Sequence, residues 1–394
     1  MKHIVIIGKY YPPEWGGVER YVYDVARFAA KTYRVTVLVH NKRNEDCIEN
    51  HHNLKIIRCG TSTIVSGQPI SRSMLMHLRA LKPDLVHLNA PNFWAAAMLM
   101  IARYRGPLII THHADVFGRP FIKRFVLPIY HHLVGRADCV VVNSTKNALC
   151  STDLPRRAGP FVTIPHGLNE KIYQLDFPTK EDVARERVRL AGHAPLVGFL
   201  GRFVRYKGLS VIVDALAQLP GVHALMIGDG PLREQTVQRA KAAGIADRMH
   251  FLGSLDEQEK VRRLAMIDVL LLPSTDTTEA FGVVQIEAQL LGKPVIASRL
   301  PTGITDVTID NETGLLIPPG DPDSLGRAIT KLIADPDLRA RFGENGRIHA
   351  LKYFTLDVFN RRFGELFDTV LSGKPVMTSE DIGRLNIAST SSGR

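Results

Sequence analysis

Two glutamates stand out because most of their neighbours are apolar. Residues 278–288 read TEAFGVVQIEA, which places Glu279 and Glu287 on either side of a largely apolar run. A carboxylate without a partner is costly in such surroundings, so each must meet a cation, a hydrogen-bond donor or a ligand. The first hypothesis is a carboxylate pair that acts on one glycosidic bond as in a retaining glycosidase, which requires the two groups to lie about 5 Å apart.

The expected local structure excludes that hypothesis. Gly292–Pro294 forms a helix stop and Gly282 is the expected start, so the sequence predicts a helix over 282–291. Glu279 then lies in the preceding loop and Glu287 within the helix. Eight helical residues span about 12 Å, which is too far for a shared scissile bond. The two glutamates must therefore contact different parts of an extended ligand or do different jobs.

The backbone between the glutamates adds hydrogen-bond donors. The N–H groups of Phe281, Gly282 and Val283 are expected to be unpaired at the helix start. In an alternative interpretation, Glu279 caps the helix and Glu287 belongs to a core ion pair. That alternative fits Glu279 better, because the neighbours of Glu287 predict burial.

Two further segments have the chemistry of phosphate binding. GRFVRYKG (201–208) follows the strand-like LVGFL and precedes an apolar-periodic helix, so Arg202 and Lys207 are predicted at a strand's carboxyl end beside a helix N-terminus. Gly16 and Gly17 precede the amphipathic VERYVYDVARFAAK, where a glycine pair lets a ligand approach free N–H groups. Solvated surface charge and a flexible turn are the respective alternatives.

The elements that must position these residues are short apolar strands separated by helix-length segments. This pattern predicts parallel sheets covered on both faces, with ligands at the carboxyl ends of the strands. The pattern restarts after the charge-rich stretch 169–193, which indicates two Rossmann-like units in series with a ligand site in the cleft between them. Three helices are predicted at the end, over Pro322–Ala334, Pro336–Tyr353 and Leu356–Leu371. The predicted strands lie in HIVIIG, RVTVLVH, LKIIRC, DLVHLN, LIITHH, CVVVNS and FVTIPHG, and then in LVGFLGR, HALMIGDG, MHFLGSL, VLLLPS, PVIAS and GLLIPP.

Composition and motifs exclude several classes of function. The 394 residues carry a net charge of +11, which favours an anionic partner. Zinc-finger spacing, an RNP-like strand, GxGxxG and a Walker sequence are all absent, which argues against nucleic-acid binding, dinucleotide chemistry and P-loop chemistry. No apolar run is long enough to span a bilayer, the first residues do not resemble a signal peptide, and four irregularly spaced cysteines indicate no disulfide framework. These features predict a cytoplasmic protein.

Several motifs together resemble the retaining nucleotide-sugar glycosyltransferases of family 4. They are GRFVRYKG, GDGP, FLGSL, PSTDTTEAFGVVQIEAQLLGKPVIAS and TGLLIPPGDPDSL, with YYPPEWGGVERYVYDVA and THHADV in the first half. The resemblance implies the GT-B architecture, an α/β fold with two Rossmann-like domains facing across a cleft. The predicted division is an acceptor domain over 1–170, a linker over 171–193, a nucleotide-sugar domain over 194–353, a helix over 354–373 crossing back to the first domain, and a disordered tail over 374–394.

The resemblance also implies roles for residues of the second domain. Arg202 and Lys207 match the pair that binds and neutralises the donor diphosphate, Glu279 matches the contact to the donor sugar, and Glu287 matches the contact to the ribose hydroxyls. The amides near 281–283, those of Phe281, Gly282 and Val283, line sugar and phosphate. PTG at 301–303 replaces a Gly-Gly or Ser-Gly turn of many members, so contacts by this loop stay open.

In the first domain, Gly16 and Gly17 match the loop that reaches the donor phosphate and the acceptor. His113 matches the histidine near the reacting sugar, with the adjacent His112 as the alternative; His112 would otherwise be a strand-end histidine bonded to backbone. Asp115 is a candidate for acceptor contact. The predicted catalytic set is His113, Arg202, Lys207 and Glu279.

The implied reaction is hexosyl transfer with retention from a nucleotide-diphosphate sugar, without a protein nucleophile, cofactor or metal. The DPD segments read as helix starts rather than as metal ligands. Likeness to mannosyltransferases suggests GDP-mannose as donor, with a lipid-linked or saccharide acceptor of bacterial polysaccharide, lipopolysaccharide or glycolipid synthesis. The alternatives are a sugar-nucleotide 2-epimerase and a non-catalytic sugar-nucleotide-binding protein.

A basic, partly apolar segment over 118–138 suggests contact with an anionic membrane surface, at the inner face of the cytoplasmic membrane. A helix packed on the first sheet is the alternative, and Pro128 interrupts the periodicity of both. The segment contains Arg119, Lys123, Arg124 and Arg136 among Phe121, Phe125, Val126, Leu127, Ile129, Leu133 and Val134.

Overall fold

The computed structural model describes residues 1–65, 67–115, 120–155, 159–173 and 180–378. The contacts divide the chain into two units, one of Met1–Pro165 with the residues from Phe359 onward and one of His166–Val358. The second unit is thus inserted into the first. Of the predicted tail, residues 374–378 have no regular secondary structure and residues 379–394 lie outside the described part.

The strands are short, as their apolar runs predict. In chain order they are β1 (His3–Ile7), β2 (Arg34–His40), β3 (Cys47–His51), β4 (Leu54–Cys59), β5 (Thr63–Val65), β6 (Gln68–Ile70), β7 (Leu85–Ala90), β8 (Leu108–His112), β9 (Cys139–Val142), β10 (Phe161–Thr163), β11 (Leu196–Leu200), β12 (His223–Ile227), β13 (Met249–Gly253), β14 (Val269–Leu272), β15 (Val295–Ser298) and β16 (Gly314–Ile317).

The helices lie between these strands and at the end of the chain. They are α1 (Gly17–Ala29), α2 (Ser73–Leu81), α3 (Phe93–Ile101), α4 (Pro120–Arg136), α5 (Thr145–Cys150), α6 (Lys180–Ala191), α7 (Leu209–Ala217), α8 (Arg233–Ala242), α9 (Glu257–Met266), α10 (Val284–Leu290), α11 (Ile304–Val307), α12 (Pro322–Ala334), α13 (Pro336–Tyr353) and α14 (Leu356–Leu371), with 3-10 turns at Glu170–Tyr173, Arg205–Lys207 and Ala246–Arg248. None of the described helices is both long and apolar enough to cross a bilayer.

The first unit contains an eight-stranded sheet in the order β10-β9-β8-β7-β1-β2-β4-β3 within the described residues. Its seven predicted strands are confirmed and run parallel. β3 and the β5–β6 hairpin were not predicted. β3 pairs antiparallel at the edge, and its sequence, CIENH, is mostly exposed and has no apolar run that would indicate a strand.

Helix α14 contributes aromatic residues to the core of the first unit. Phe359 and Phe363 meet the ring of Tyr21 edge-on, with centroids 5.0 and 5.7 Å away. Phe367 meets Tyr33 in the same way at 6.2 Å. Edge-to-face contacts at these distances stabilise a core beyond the area that they bury. The core of the first unit therefore includes aromatic residues that follow the whole second unit in sequence.

The second unit contains a six-stranded parallel sheet in the order β13-β12-β11-β14-β15-β16. Alternate residues of each strand enter different cores. In β14, Val269 and Leu271 pack in a cluster with residues of α7 and α12, whereas Leu270 and Leu272 pack in a cluster with residues of α9 and α10. Burial on both faces explains why these strands are continuously apolar, and the parallel-sheet prediction is confirmed.

The stretch predicted as a linker, 171–193, contains α6 and contributes to the second unit. Ala191 at the end of this helix is part of the same apolar cluster as α9 and α10. Arg187 donates to both carboxylate oxygens of Asp268, at 3.0 and 2.9 Å. The charged stretch that was predicted to be a connector therefore contains an arginine, Arg187, that anchors α6 to the second unit. Residues 174–179 lie outside the described part of the chain.

The three predicted C-terminal helices are confirmed at the predicted bounds. Asp321 and Asp335 cap α12 and α13, accepting from the backbone N–H groups of Ser324 and Leu338 at 2.9 and 2.8 Å. A proline follows each cap at the first helical position, where its missing N–H has no cost. The DPD segments are helix starts, as their prolines predict.

The prediction that α10 begins at Gly282 is wrong by two residues. Gly282 has φ 66°, a left-handed conformation that a right-handed helix does not contain, and the helix begins at Val284. A Cβ at residue 282 would lie 2.6 Å from a methyl group of Leu272 and 2.8 Å from the side-chain amide of Gln285. The glycine therefore makes a tight turn before the helix instead of its first turn.

Gly208 allows two loops of the second unit to approach closely. Its φ is 69°, and a Cβ there would lie 2.0 Å from the carbonyl oxygen of Pro273, in the loop after β14. No side chain fits at that distance, and the backbone cannot move without separating the loops. This position therefore requires glycine for both conformation and space.

We expect Gly208→Ala to lower the free energy of unfolding by at least about 2 kcal/mol, because a left-handed alanine and a backbone clash are both unfavourable. Urea unfolding followed by circular dichroism measures the shift. Gly326→Ala is the matched control: a Cβ there meets nothing within 4 Å, and an alanine within α12 should raise stability by up to about 1 kcal/mol. Equal unfolding midpoints for the Gly208→Ala variant and the native protein would contradict the close approach.

Candidate active site

Lys207 lies at the end of the turn that follows β11. It is 9% exposed, and a Cβ at Gly201 would lie 3.4 Å from its Cε and 3.6 Å from its Nζ. The lysine side chain therefore folds back against the backbone of Gly201. A buried ammonium group requires a partner of opposite charge.

That partner is Glu279, in the loop between β14 and α10. Its Oε2 accepts from Lys207 Nζ at 2.5 Å and from Ser274 Oγ at 2.9 Å. Glu279 is 7% exposed. The structure thus joins two predicted site residues that are 72 positions apart, and it adds Ser274, which no pattern singled out although it follows strand VLLLP at its carboxyl end. Removal of one member of such a buried pair leaves the other charge unpaired, at a cost of about 3–5 kcal/mol.

Arg202, the other predicted phosphate contact, is exposed. Among the described residues it forms no ion pair, and the same holds for the exposed Arg205 in the following turn. Because Glu279 already neutralises Lys207, the uncompensated positive charge of this loop resides on the two arginines. A phosphate beside the loop would meet Arg202 without breaking an existing contact.

The predicted backbone donors lie directly after Glu279. Over the described part of the chain, the amides of Phe281, Gly282 and Val283 donate no hydrogen bond. The Phe281 ring is buried and contacts the rings of His166 and Phe354, with centroids 5.8 and 5.9 Å away. This packing fixes the backbone whose N–H groups remain available to a ligand.

Glu287 lies within α10 and is a member of a buried ion pair, which was the alternative interpretation of this residue. Its Oε1 accepts from Lys260 Nζ at 2.6 Å and from the Tyr173 hydroxyl at 3.1 Å. Burial alone would lower the pKa of the Lys260 ammonium, but the charges of Glu287 and Glu257 and their hydrogen bonds raise it overall. Lys260 therefore keeps its ammonium charge at neutral pH.

The capping alternative for Glu279 is wrong, because the start of α10 has no side-chain cap and the carboxylate bonds to Lys207 and Ser274 instead.

Neither Lys260 nor Tyr173, the two partners of Glu287, was predicted. Lys260 belongs to the charged segment DEQEKVRR, which is typical of a solvated helix face, and Tyr173 falls in the predicted linker. Sequence alone contains no signal for either contact.

The loop at 301–303, which departs from the family pattern, supports the backbone around Glu279. Thr302 Oγ1 donates to the Glu279 carbonyl at 2.9 Å, and the Gly303 amide donates to the Ala280 carbonyl at 2.9 Å. Thr302 is buried. This loop therefore binds the carbonyl groups of two successive peptides, Glu279–Ala280 and Ala280–Phe281.

In the first unit, His112 and Asp115 belong to one hydrogen-bond network. His112 Nδ1 lies 2.9 Å from the Tyr130 hydroxyl, and its Nε2 lies 3.1 Å from Asp115 Oδ1. Both ring nitrogens therefore contact side chains, so the alternative of a histidine bonded to the backbone is wrong. Asp115 also accepts from the Ser151 hydroxyl at 2.5 Å and from the amide and hydroxyl of Thr152 at 2.6 and 2.9 Å. Both Asp115 oxygens are thus occupied.

These bonds determine the ionisation of Asp115. Burial alone would raise the pKa of its carboxyl group, but the hydrogen bonds from His112, Ser151 and Thr152 hold it well below its usual range. The Ser151 hydroxyl lies 2.5 Å from Asp115 Oδ1 and 3.4 Å from His112 Nε2, so its shorter contact is to the carboxylate, whereas a serine nucleophile is paired with the imidazole that serves as its base. In this structure the cluster fixes the turn after α5 against the end of β8.

His113 directly follows β8, and the glycine pair lies at the start of α1. His113 is 5% exposed, its Nε2 lies 3.0 Å from Asn89 Oδ1, and its ring meets Tyr21 edge-on at 4.7 Å. Gly16 and Gly17 are exposed at the start of α1, and neither has a positive φ. A Cβ at Gly17 would meet nothing within 4 Å, so the backbone itself does not require glycine there.

No group of three or more His, Cys, Asp or Glu side chains in the described part of the chain could hold a metal ion. The site residues of the second unit are instead two lysine–glutamate pairs, an exposed arginine and three backbone amides. Such a set offers cations and N–H donors to phosphate and carboxylates to hydroxyl groups.

Comparison with known proteins places this geometry in a family. Residues 15–172 match the model of Glycosyltransferase Family 4, and residues 180–349 match the model of Glycosyl transferases group 1. O-antigen chain mannosyltransferase C of Escherichia coli is 24% identical over 95% of this chain and all of its own length. Phosphatidyl-myo-inositol mannosyltransferase of Mycobacterium leprae is 29% identical over 75% of this chain and 76% of its own length.

Solved structures share the fold. Sucrose-phosphate synthase from Thermosynechococcus elongatus superposes with a TM-score of 0.76 at 24% identity, over 95% of this chain and all of that chain. HepE of Anabaena in complex with UDP-glucose has a TM-score of 0.74 at 23% identity, over 94% of this chain and all of that chain. The predicted two-domain α/β fold with parallel sheets is confirmed. Because the two family models match successive halves of the sequence, the chain belongs to the family 4 glycosyltransferases of the GT-B fold and is a glycosyltransferase.

Proposed function

We propose that the protein transfers a hexose with retention from a nucleotide-diphosphate sugar to a lipid-linked or saccharide acceptor in the synthesis of a cell-surface glycan. The observation that carries this proposal is the sequence of groups from Arg202 to Glu287. An exposed cation and the free amides of 281–283 lie next to the Lys207–Glu279 pair, and a second glutamate follows eight residues later. This order suits a diphosphate with a sugar at one end and a ribose at the other.

In the proposed reaction, the acceptor oxygen bonds to the anomeric carbon on the face from which the diphosphate oxygen leaves. The acceptor proton passes to the leaving diphosphate, so no protein nucleophile takes part. Arg202 and the amides of 281–283 stabilise the negative charge that grows on the diphosphate, and Glu279 accepts a hydroxyl of the sugar. The rate gain comes from positioning and charge stabilisation. Arg202, Lys207, Glu279 and His113 remain the proposed catalytic residues, and no metal or other cofactor is required.

Mannose from GDP-mannose is the proposed donor group. Two relatives described above are mannosyltransferases by name. A third, from Corynebacterium glutamicum, is the GDP-mannose-dependent monoacylated alpha-(1-6)-phosphatidylinositol monomannoside mannosyltransferase, which is 23% identical over 94% of this chain and 98% of its own length. These names also favour an acceptor in O-antigen or glycolipid synthesis. Their agreement supports a mannosyl donor for this chain.

A donor panel tests the reaction. GDP-mannose, GDP-fucose, UDP-glucose and UDP-N-acetylglucosamine are incubated with and without a lipid-linked acceptor, and in the presence of EDTA, and nucleotide release is measured. We expect release from GDP-mannose that depends on the acceptor and persists in EDTA. A free epimer would indicate the 2-epimerase, binding without turnover would indicate the non-catalytic alternative, and inhibition by EDTA would overturn metal independence.

Arg202→Gln tests the phosphate assignment more cleanly than a change of Lys207, whose removal would leave Glu279 buried and unpaired. We expect kcat/KM to fall about 100-fold, because a charge-assisted bond to the leaving diphosphate is lost. The unfolding midpoint should not change, since Arg202 is exposed and unpaired in the described structure. Arg205→Gln, an equally exposed arginine of the same loop, is the matched control and should keep near-native kcat/KM. Equal losses in both variants would argue against a specific phosphate contact.

We also propose peripheral contact with an anionic membrane through α4, at the inner face of the cytoplasmic membrane. Of the four predicted basic residues, Lys123 pairs with Asp153 at 2.5 Å and Arg136 stacks over the Tyr104 ring at 5.6 Å, while Arg119 lies outside the described residues. Leu133 and Val134 belong to the core of the first unit, as the alternative of a packed helix predicts. The surface that remains is formed by Arg124 and Phe125, the latter 61% exposed.

Vesicle flotation measures this contact. We expect the protein to float with vesicles of phosphatidylcholine and phosphatidylglycerol at low salt, and to remain in solution with phosphatidylcholine alone or at high salt. Arg124→Glu with Phe125→Ser should abolish flotation. Arg347→Glu with Ile348→Ser removes a similarly exposed arginine and apolar residue from α13 and should have no effect. A native protein that never floats would refute membrane contact, without bearing on transfer.

A further inference from the structure

The two glutamates of the site are held in the same way. In Glu279, one carboxylate oxygen accepts both the Lys207 ammonium and the Ser274 hydroxyl. In Glu287, one oxygen accepts both the Lys260 ammonium and the Tyr173 hydroxyl. The parallel is chemical, since a lysine and a hydroxyl meet on a single oxygen in each case.

The other oxygen of each glutamate is left for a ligand. Among the described residues, Glu279 Oε1 and Glu287 Oε2 accept no hydrogen bond, and neither is one of the unpartnered side-chain atoms that are fully buried. Both oxygens therefore keep contact with solvent, although the residues are each only 7% exposed. A buried residue with a single accessible acceptor atom is suited to a directed contact.

Lys260 and Tyr173 reach Glu287 from separate elements of the second unit. Lys260 extends from α9, where it also contacts Glu257 at 3.0 Å, and its side chain is 16% exposed. Tyr173 is buried at the end of the 3-10 turn over 170–173, and its hydroxyl reaches Glu287 from that turn. Two donors on different elements restrict rotation of the carboxylate, whose terminal torsion is otherwise soft.

We propose that Lys260 and Tyr173 are positioning residues that hold the Glu287 carboxylate with Oε2 directed at the ribose hydroxyls of the donor nucleotide. This inference rests on the proposed function, which assigns the ribose to Glu287. The Lys260 ammonium is the partner that a buried carboxylate requires, and the shared oxygen determines which atom of Glu287 faces the ligand. An ion pair as buried as this one adds little stability by itself, whereas a fixed acceptor makes binding depend on the ribose hydroxyls.

The test compares ribonucleotides with 2′-deoxyribonucleotides by calorimetry of the full chain. The probes are GDP against 2′-deoxy-GDP and UDP against 2′-deoxy-UDP, so the base is not assumed. We expect the native protein to prefer the ribonucleotide by on the order of tenfold, as a hydrogen bond to a charged group predicts. Lys260→Met and Tyr173→Phe should each reduce this preference several-fold, and Glu287→Gln should reduce it as well. Combining Lys260→Met with Glu287→Gln should add little, because both act through one contact.

Several outcomes would overturn the inference. A merely structural lysine or tyrosine would weaken both nucleotides equally and leave their ratio at the native value. Glu257→Gln is the matched control, since the exposed Glu257 contacts both Lys260 and Tyr173, at 3.0 and 3.5 Å, without being the proposed ribose contact. The ratio of this variant should stay native. Tyr173→Phe removes only a hydroxyl and remains informative if Lys260→Met folds poorly.

The design separates this inference from the proposed function. If Glu287→Gln leaves the native ratio unchanged, or if neither ribonucleotide binds, the ribose assignment itself fails. If Glu287→Gln reduces the ratio while Lys260→Met and Tyr173→Phe do not, only the positioning role fails.

Discussion

The buried ion pair between Lys207 and Glu279 is the interaction on which the rest of the site depends. Each charge alone would be several kcal/mol unfavourable in that environment, so the loops after β11 and β14 are stable only together. Their strands are adjacent and parallel, and Gly208 lets the two backbones meet at Pro273. The same contact that satisfies the charges therefore positions Arg202 on one loop and the free amides on the other.

The sheet explains why these polar groups collect at one edge. Alternate residues of the central strands enter cores on both faces, so a strand interior has no place for a charge. Polar side chains become possible only where a strand ends, as with Ser274 after β14. The loop at 301–303 then adds backbone bonds around Glu279. Packing of the strands thus determines where chemistry can occur, and the loops determine which chemistry it is.

Sequence patterns predicted most of the architecture, because apolar runs and proline caps are local signals. The parallel strands and the bounds of α12 to α14 needed no tertiary information. The start of α10 was missed since Gly282 reads equally well as a helix start and as a left-handed turn. β3 was missed because a solvated edge strand needs no apolar run.

At the site, the sequence mainly failed to predict contacts between residues that are far apart in the chain. Lys207 and Glu279 were each recognisable, yet their pairing across 72 positions depends on the order of strands in the sheet. Lys260 resembles its exposed neighbours in sequence and differs only by facing Glu287. The roles of His113, Arg202 and the glutamates toward a donor remain predictions that rest on family resemblance and geometry.

The insertion of the second unit into the first has a consequence for synthesis on the ribosome. The second unit is one continuous segment, so all of its strands and core helices are available as soon as residue 358 has emerged. The first unit is made earlier but lacks Phe359, Phe363 and Phe367, which pack on Tyr21 and Tyr33. Its aromatic core can close only after α14 has been translated. The unit whose translation begins first is therefore the last to have all of its residues.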